Sequence, residues 1–142
     1  MATLPSNEFK DLLFRKIVDL DNDTIKIILM AAGFTFDRVN HNVYANVSAS
    51  ELPTANGYTV GGVSLTGSTI TRNDTTHIVT CSFNNATWTA TGGSIVAQGA
   101  IIFDDTVAAP VVDPVIGYID FGGAETALDT FPFVVASIQV RV

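Results

Sequence analysis

Ser94-Ile-Val-Ala-Gln-Gly-Ala-Ile-Ile-Phe103, closed by Asp104-Asp105-Thr106, is the stretch whose reading decides the fold. It has almost no polar residue on either parity, and β-branched side chains dominate it. Successive side chains of a strand point to opposite faces, so a strand this apolar needs cover on both sides. The expectation is a central strand over 94–103 with Trp88 just before it. After a Pro-bearing loop, Val115–Phe121 has the length to return beside it.

Outward from this core, Val63–Arg72 and Thr76–Phe83 read as two strands joined at Asn73-Asp74-Thr75. Asn84-Asn85 and Gly92-Gly93 mark the next turns. Thr24–Met30 is a β-branched run entered from Asp19-Leu-Asp-Asn-Asp23. Phe131–Val142 reads as a closing strand with Val134, Ala136, Ile138, Val140 and Val142 on one face. Chain ends fray unless paired, so this strand is expected at an inner position or an intersubunit edge. Asn7–Val18 has helical spacing, with Phe9, Leu12, Leu13 and Ile17 on one face, Ser6 or Asn7 as N-cap and Glu8 in the first turn. Residues 31–62 read as irregular apart from a short helical turn near Tyr44–Val47, and a connection this long carries contact work. The expected fold is mainly β, an antiparallel β-sandwich or partly open barrel with one short N-terminal amphipathic helix. The 142 residues form one domain, an arm or helix over 1–18 and a sandwich over 19–142 with its long 31–62 loop.

Charged residues make up 15% of the chain, against about 25% in ordinary globular domains, and hydrophobic residues 47%. So few charges point to surface buried against other chains, with a monomer covered in Thr, Ser and Asn as the alternative. A net charge of −7 argues against nucleic acid as a partner. Lys10, Arg15, Lys16 and Lys26 make the N-terminal segment the least acidic part, yet too sparse for a phosphate-binding patch. The longest apolar run, Ile27–Ala32, is far short of a membrane span, and the first residues lack the features of a signal peptide. Synthesis in the cytoplasm with no membrane partner is the expectation.

The residues able to carry chemistry read better as scaffold. Asp19, Asp21 and Asp23 have the spacing of the first calcium ligands of an EF-hand loop, but Thr24 stands where Gly is needed and Met30 where a bidentate Glu is needed. A solvated acidic turn is the expectation, with no metal site. His77 shares parity with Val79, Cys81 and Phe83, which points to a partly buried structural histidine; with Cys81 it supplies at most a pair of zinc ligands. Cys81, the one cysteine, reads as a small buried apolar residue with no disulfide open to it. Ser94 lacks a nucleophile elbow and no motif ties it to His41 or His77. Asp104, Asp105 and Asp120 could be nominated as paired carboxylates, but lie where Asp makes turn hydrogen bonds. Gly57, Gly61 and Gly62 match no phosphate-binding fingerprint and serve tight turns. Of the aromatics able to stack on a sugar, Trp88, Tyr44, Tyr58 and Tyr118, the first reads as core. Four N-x-S/T triplets, at Asn22, Asn46, Asn73 and Asn85, imply no glycosylation. No catalytic, cofactor-binding or metal residue is therefore nominated.

Five blocks occur in order: Asp23-Thr-Ile-Lys-Ile-Ile-Leu29, Gly57-Tyr-Thr-Val-Gly-Gly-Val-Ser-Leu-Thr-Gly67, Ala86-Thr-Trp88, Ala100-Ile-Ile-Phe-Asp-Asp-Thr106 and Ile116-Gly-Tyr-Ile-Asp-Phe-Gly-Gly123. Together they resemble a family of small structural proteins of tailed bacteriophages, from about Phe9 onward. The resemblance implies a non-enzymatic virion component, most like a capsid cement (decoration) protein. Such a protein sits as a homotrimer on the head and clamps neighbouring copies of the major capsid protein. Under it, the N-terminal segment and the 31–62 loop are expected to meet the capsid while the sandwich forms the trimer. A tail tube, baseplate or fibre component is the competing virion reading, and a carbohydrate-binding β-sandwich displayed on the particle is a third.

Overall fold

The chain is built on a five-stranded antiparallel sheet whose middle is the apolar stretch singled out above. In the computed structural model, which describes residues 3–142, the sheet has the order β1 (Leu4–Pro5), β8 (Val115–Ala127), β7 (Ile95–Asp104), β2 (Ile25–Met30), β3 (Val63–Ser64). Strand β7 sits between β8, with Ile101 opposite Tyr118, and β2, with Ile101 opposite Ile28. Both faces of β7 are covered, and its alternation sorts the core in two. Ala100 and Ile102 join Ile27, Leu29, Ile116 and Ile119 on one side. Ile101 and Phe103 join Ile28, Met30, Val115 and Tyr118 on the other.

The first side is covered by α1 (Asn7–Phe14) and by two smaller antiparallel sheets, β10 (Gln139–Arg141)–β5 (Ile78–Ser82)–β4 (Thr69–Asn73) and β6 (Ala86–Thr89)–β9 (Pro132–Val135). Phe9, Leu12, Trp88, Phe133 and Val140 all pack into it. The second side is covered by the 31–62 segment, through Phe34, Phe36, Tyr44 and Val47. That segment includes α2 (Tyr44–Val47) and a 3₁₀ turn over Ser48–Ser50, and it extends the edge of β2 through Leu52 N–H to Leu29 O at 3.0 Å. Its length goes into cover for a sheet. With 42% of residues in strands and 11% in helices, the fold is mainly β, and no sheet closes into a barrel.

Helix α1 begins where Ser6, fully buried, bonds in both directions. Its Oγ accepts the Phe9 N–H at 3.0 Å and donates to the Val115 carbonyl at 2.5 Å, so one hydroxyl caps the helix and ties it to β8. The helix ends at Phe14, short of the expected Val18, because Lys16 adopts φ 59°. Ile17 N–H then bonds Leu12 O at 3.0 Å and Lys16 N–H bonds Leu13 O at 3.2 Å, a Schellman closure with lysine in the left-handed position. Ile17 still packs against the core, but from beyond the helix. The N-terminal segment is thus woven into the fold: Thr3 N–H and Oγ1 both bond Gln139 O, and Leu4–Pro5 pair with β8.

Two expected strands are each divided. Val63–Arg72 splits into β3 and β4, which lie in different sheets, with Gly67 at φ +67° between them. Phe131–Val142 splits into β9 and β10 at Ser137, φ 54°, and the inward parity changes there: Phe133 and Val135 are buried before the break, Ile138 and Val140 after it, while Val134 and Ala136 are exposed. Strand β8 runs six residues beyond the expected Phe121, through Gly122-Gly123 to Ala127. Strands β1 and β6 were not expected.

Gly62 shows how tightly the cover is laid on. At φ +64° it sits against β2 so closely that a Cβ would overlap the Ile27 carbonyl oxygen. Gly62→Ala is therefore expected to destabilise the protein by at least about 2 kcal/mol in urea unfolding. Lys16→Gly, which relieves left-handed strain at an exposed position, is expected to stabilise it by about 0.5–1 kcal/mol in the same assay.

Candidate functional site

Hydrogen bonding already accounts for most residues that could have carried chemistry. Asp19 closes its own turn: its Oδ1 accepts the N–H groups of Asp21 and Asn22 at 3.1 and 3.2 Å and its Oδ2 the Asn22 amide at 2.8 Å. The Asn22 amide above all holds the Asp19 carboxyl below its ordinary pKa. Asp21 accepts the Ser68 hydroxyl at 3.0 Å, and Asp120 accepts Gly122 N–H at 2.8 Å. Among the described residues, no group of three or more His, Cys, Asp and Glu converges as metal ligands, and no helix is long and apolar enough to cross a membrane.

The histidines and Ser94 lie apart in function. His41 stacks on Phe34, ring centroids 5.3 Å apart, and its Nδ1 accepts the Asp37 N–H at 3.0 Å. His77 is exposed at φ 57° in the β4–β5 turn. This corrects the partly buried reading: parity along β5 stops at Ile78, and the turn, not the strand, places His77. Ser94 offers its carbonyl to the Asn56 side chain at 3.0 Å. Cys81 is buried in the main core, and burial pushes its thiol pKa up. The four candidate sugar-stacking aromatics are turned inward: Trp88, Tyr58 and Tyr118 are buried, and Tyr44 stacks on Phe103 at 4.7 Å.

Two buried acids stand out: Glu51, which the sequence did not single out, and Asp104, which has its expected turn role and a buried second oxygen besides. Glu51 receives Tyr44 OH at 2.5 Å on Oε2, and Tyr58 OH at 2.6 Å and Gly61 N–H at 2.7 Å on Oε1; Tyr58 OH in turn accepts Leu29 N–H at 3.1 Å. One carboxylate thus fastens three points of the 31–62 cover to β2. Burial, then the bond to Glu51, raises the pKa of both tyrosines, that of Tyr44 to about 12. No spacing rule connects residues 44, 51 and 58 in the sequence, because the contact depends on the path of an irregular loop.

Asp104 ends β7 with no solvent exposure. Its Oδ1 accepts Thr106 and Val107 N–H groups at 2.9 and 3.4 Å, as the sequence suggested for a turn aspartate, while Oδ2 has no donor among the N–H and O–H groups around it. The Asp23 carboxyl faces it within hydrogen-bonding range. Burial first, and Asp23 second, push the Asp104 pKa up to about 7, against the pull of the two N–H donors. Asp23 precedes β2 and Asp104 ends β7, so their proximity sets the turn before β2 against the turn after β7. Next to them Lys26 pairs with Asp105 at 2.9 Å, and burial raises the Asp113 pKa as well. This is a structural joint sensitive to pH.

Two of the open hollows lie at the margin of α1. One, about 390 Å³, runs from Phe9 and Leu13 over Ile70, Val79 and Cys81 on the β10–β5–β4 sheet. A second, about 410 Å³, adjoins it and is bounded by Lys10, Leu13, Phe14, Arg141 and Val142. Phe14 is 92% exposed, the most exposed large apolar side chain among the described residues. Both are lined mainly by apolar side chains; of the titratable groups at their edges, Asp19 has a lowered pKa and the buried Cys81 thiol a raised one.

Because folded Asp104 holds its proton more tightly than the unfolded chain does, the native state binds the extra proton between about pH 4 and pH 7, and stability falls as pH rises through that window. Asp104→Asn keeps the bonds from Thr106 and Val107 and donates to Asp23, so it is expected to exceed the wild type by about 1–3 kcal/mol at pH 8, with the gain vanishing by pH 4. Chemical denaturation of both proteins across pH 4–8 reads this difference directly. Glu51→Ala, which removes the acceptor of the buried Tyr58 hydroxyl, the half-buried Tyr44 hydroxyl and the Gly61 N–H, is expected to cost about 3 kcal/mol at any of these pH values.

Comparison with protein-family models, with curated proteins and with solved structures gives no match to this chain.

Proposed function

We propose that the chain is a non-enzymatic structural protein of a tailed-phage virion, a cement protein that binds the outside of the head and bridges neighbouring major capsid subunits. Its three sheets act in this reading as a sandwich-like scaffold, and several copies, a trimer in the simplest case, work together. The observation that carries the reading is where apolar surface lies. The interior is closed on both faces of β7, while Phe14, Ile70, Val112, Leu128, Phe131 and Val142 are all more than half exposed. A protein with 15% charged residues that nevertheless leaves large apolar side chains outside is suited to contact over an area.

The blocks that carry the phage resemblance coincide with β2, the 57–67 cover and β3, β6, the end of β7 and the start of β8. They form the scaffold, so the likeness bears on architecture and the contact surfaces lie elsewhere. The N-terminal segment enters this proposal in altered form. Thr3, Ser6, Phe9 and Leu12 are buried, so this segment meets a capsid only through exposed positions of α1 and its cap such as Asn7, Asp11 and Arg15. Many weak copies on a lattice then add up by avidity and stabilise the assembled shell by mass action.

Immunogold electron microscopy of intact virions with an antibody to this chain tests the reading. Label spread over the head is the expected result. Label confined to the tail would make it a tube, baseplate or fibre protein, and particles without label would end the virion reading.

A further inference from the structure

Two exposed apolar features are left unused by the fold. The first is the hollow beside α1. The chain has seven Lys and Arg residues. Arg15, Lys26 and Arg72 are in ion pairs with Asp11, Asp105 and Asp74, and Arg38 donates to the Pro5 carbonyl at 2.8 Å. Among the described residues the other three, Lys10, Lys16 and Arg141, have no carboxylate partner, Arg141 donating instead to the Gln139 amide oxygen at 2.5 Å, and all of them line the hollows where Phe14 and Val142 are exposed. On a chain of net charge −7, the unpaired cations are gathered around one apolar depression.

The second feature is the tight turn that follows β8. Thr130 at φ 73° bends it, Phe131 N–H bonds Leu128 O at 2.9 Å, Thr130 N–H bonds Ala90 O at 2.9 Å, and Asp129 Oδ1 accepts Gly92 N–H at 2.8 Å. The turn is therefore held from within and from the β6–β7 connection. Yet Leu128 is 62% and Phe131 61% exposed, on either side of the Asp129 carboxylate. Helix α1 starts against Val115 and Ile116, the first residues of β8, whereas this turn follows Ala127, its last. With Leu128 and Phe131 left exposed, the turn does not occupy the hollow of its own molecule.

We propose that copies of this chain associate head to tail, the Leu128–Phe131 turn of one entering the hollow between α1 and the C-terminal strand of the next. Leu128 and Phe131 pack on Leu13, Phe14 and Val142, and Asp129 lies against Lys10 and Arg141. The two surfaces match in both respects that matter, an apolar knob with an acid for an apolar hole with cations. The contact is heterologous, because different surfaces of two identical copies meet, so it closes into a ring or continues as a filament. The inference rests on the proposed function only for its expectation of a homo-oligomer.

Sedimentation equilibrium of the full chain tests it, using two surface variants whose folding is checked by circular dichroism. Leu128→Ser with Phe131→Ser removes the knob, and Phe14→Asp with Lys10→Glu removes the hole. Each variant alone is expected to be monomeric, with its dissociation constant raised at least about thirtyfold. An equimolar mixture is expected to give a heterodimer and nothing larger, since one intact knob and one intact hole remain. Variants that associate as the wild type does, or a mixture that stays monomeric beside an associating wild type, would overturn the inference while leaving a homo-oligomer formed elsewhere. A wild type that is monomeric at millimolar concentration would overturn it too, and leaves the location on the virion to be read by labelling.

Discussion

The structure depends on one constraint, that β7 is apolar on both parities and so requires two coats. A single sheet with one wet face would leave either Ile101 and Phe103 or Ala100 and Ile102 in water. The chain answers with unlike materials. One coat is regular, made of a helix and two small sheets, and the other is an irregular segment that no helix or strand signal announces. An irregular cover must satisfy its own backbone and be fastened, which is the work of the Glu51–Tyr44–Tyr58 cluster and of the close approach of Gly62 to β2. The same need explains why the N-terminal residues are held by Ser6 and Thr3 instead of trailing: α1 is part of the coat, and its anchor is the first turn of β8.

What the sequence disclosed follows from where each signal is local. The central strand was legible to within one residue at each end, because burial on both faces leaves its mark on every residue from Ile95 to Asp104. The β2 run was legible for the same reason, and so was the buried state of Cys81. Signals failed where the chain changes sheets. Period-2 alternation is a property of one strand in one sheet, and at Gly67 and Ser137 a single left-handed residue re-aims the backbone, so an apparently continuous pattern belongs to two strands. The second half of β8 was missed because Gly122, Gly123, Glu125 and Thr126 are exposed and carry no apolar signal; they are in the sheet because β7 extends alongside, with Val96 opposite Thr126.

The candidate site was less legible, and for a physical reason. Acids were read from the sequence by spacing, as metal ligands or turn formers, and Asp19 and Asp120 do form turns. What spacing does not show is that Asp23 and Asp104, far apart in the chain, come together because β2 and β7 are antiparallel neighbours, which sets the residues just before the start of β2 beside the end of β7. Strand pairing turned two unremarkable turn residues into a coupled pair. Glu51 acquired its role in the same way, from a loop path that folds residues 44, 58 and 61 around it.

These placements also bear on how such a molecule can act. Its polar side chains with fixed partners are used to seal one layer to another, at the Glu51 cluster, at the Asp23–Asp104 joint and at the Ser6 cap. Moving any of them would open the core, so none is free to rearrange around a small ligand. The surface keeps what sealing did not need: large apolar side chains at α1 and at the turn after β8, and the three cations without carboxylate partners. A rigid double-coated scaffold with its unspent apolar surface in two places binds by presenting fixed shapes, which loses little conformational entropy on association. That economy suits repeated, geometrically identical contacts, and under the proposed function these would be made by the exposed apolar side chains at α1 and in the turn after β8.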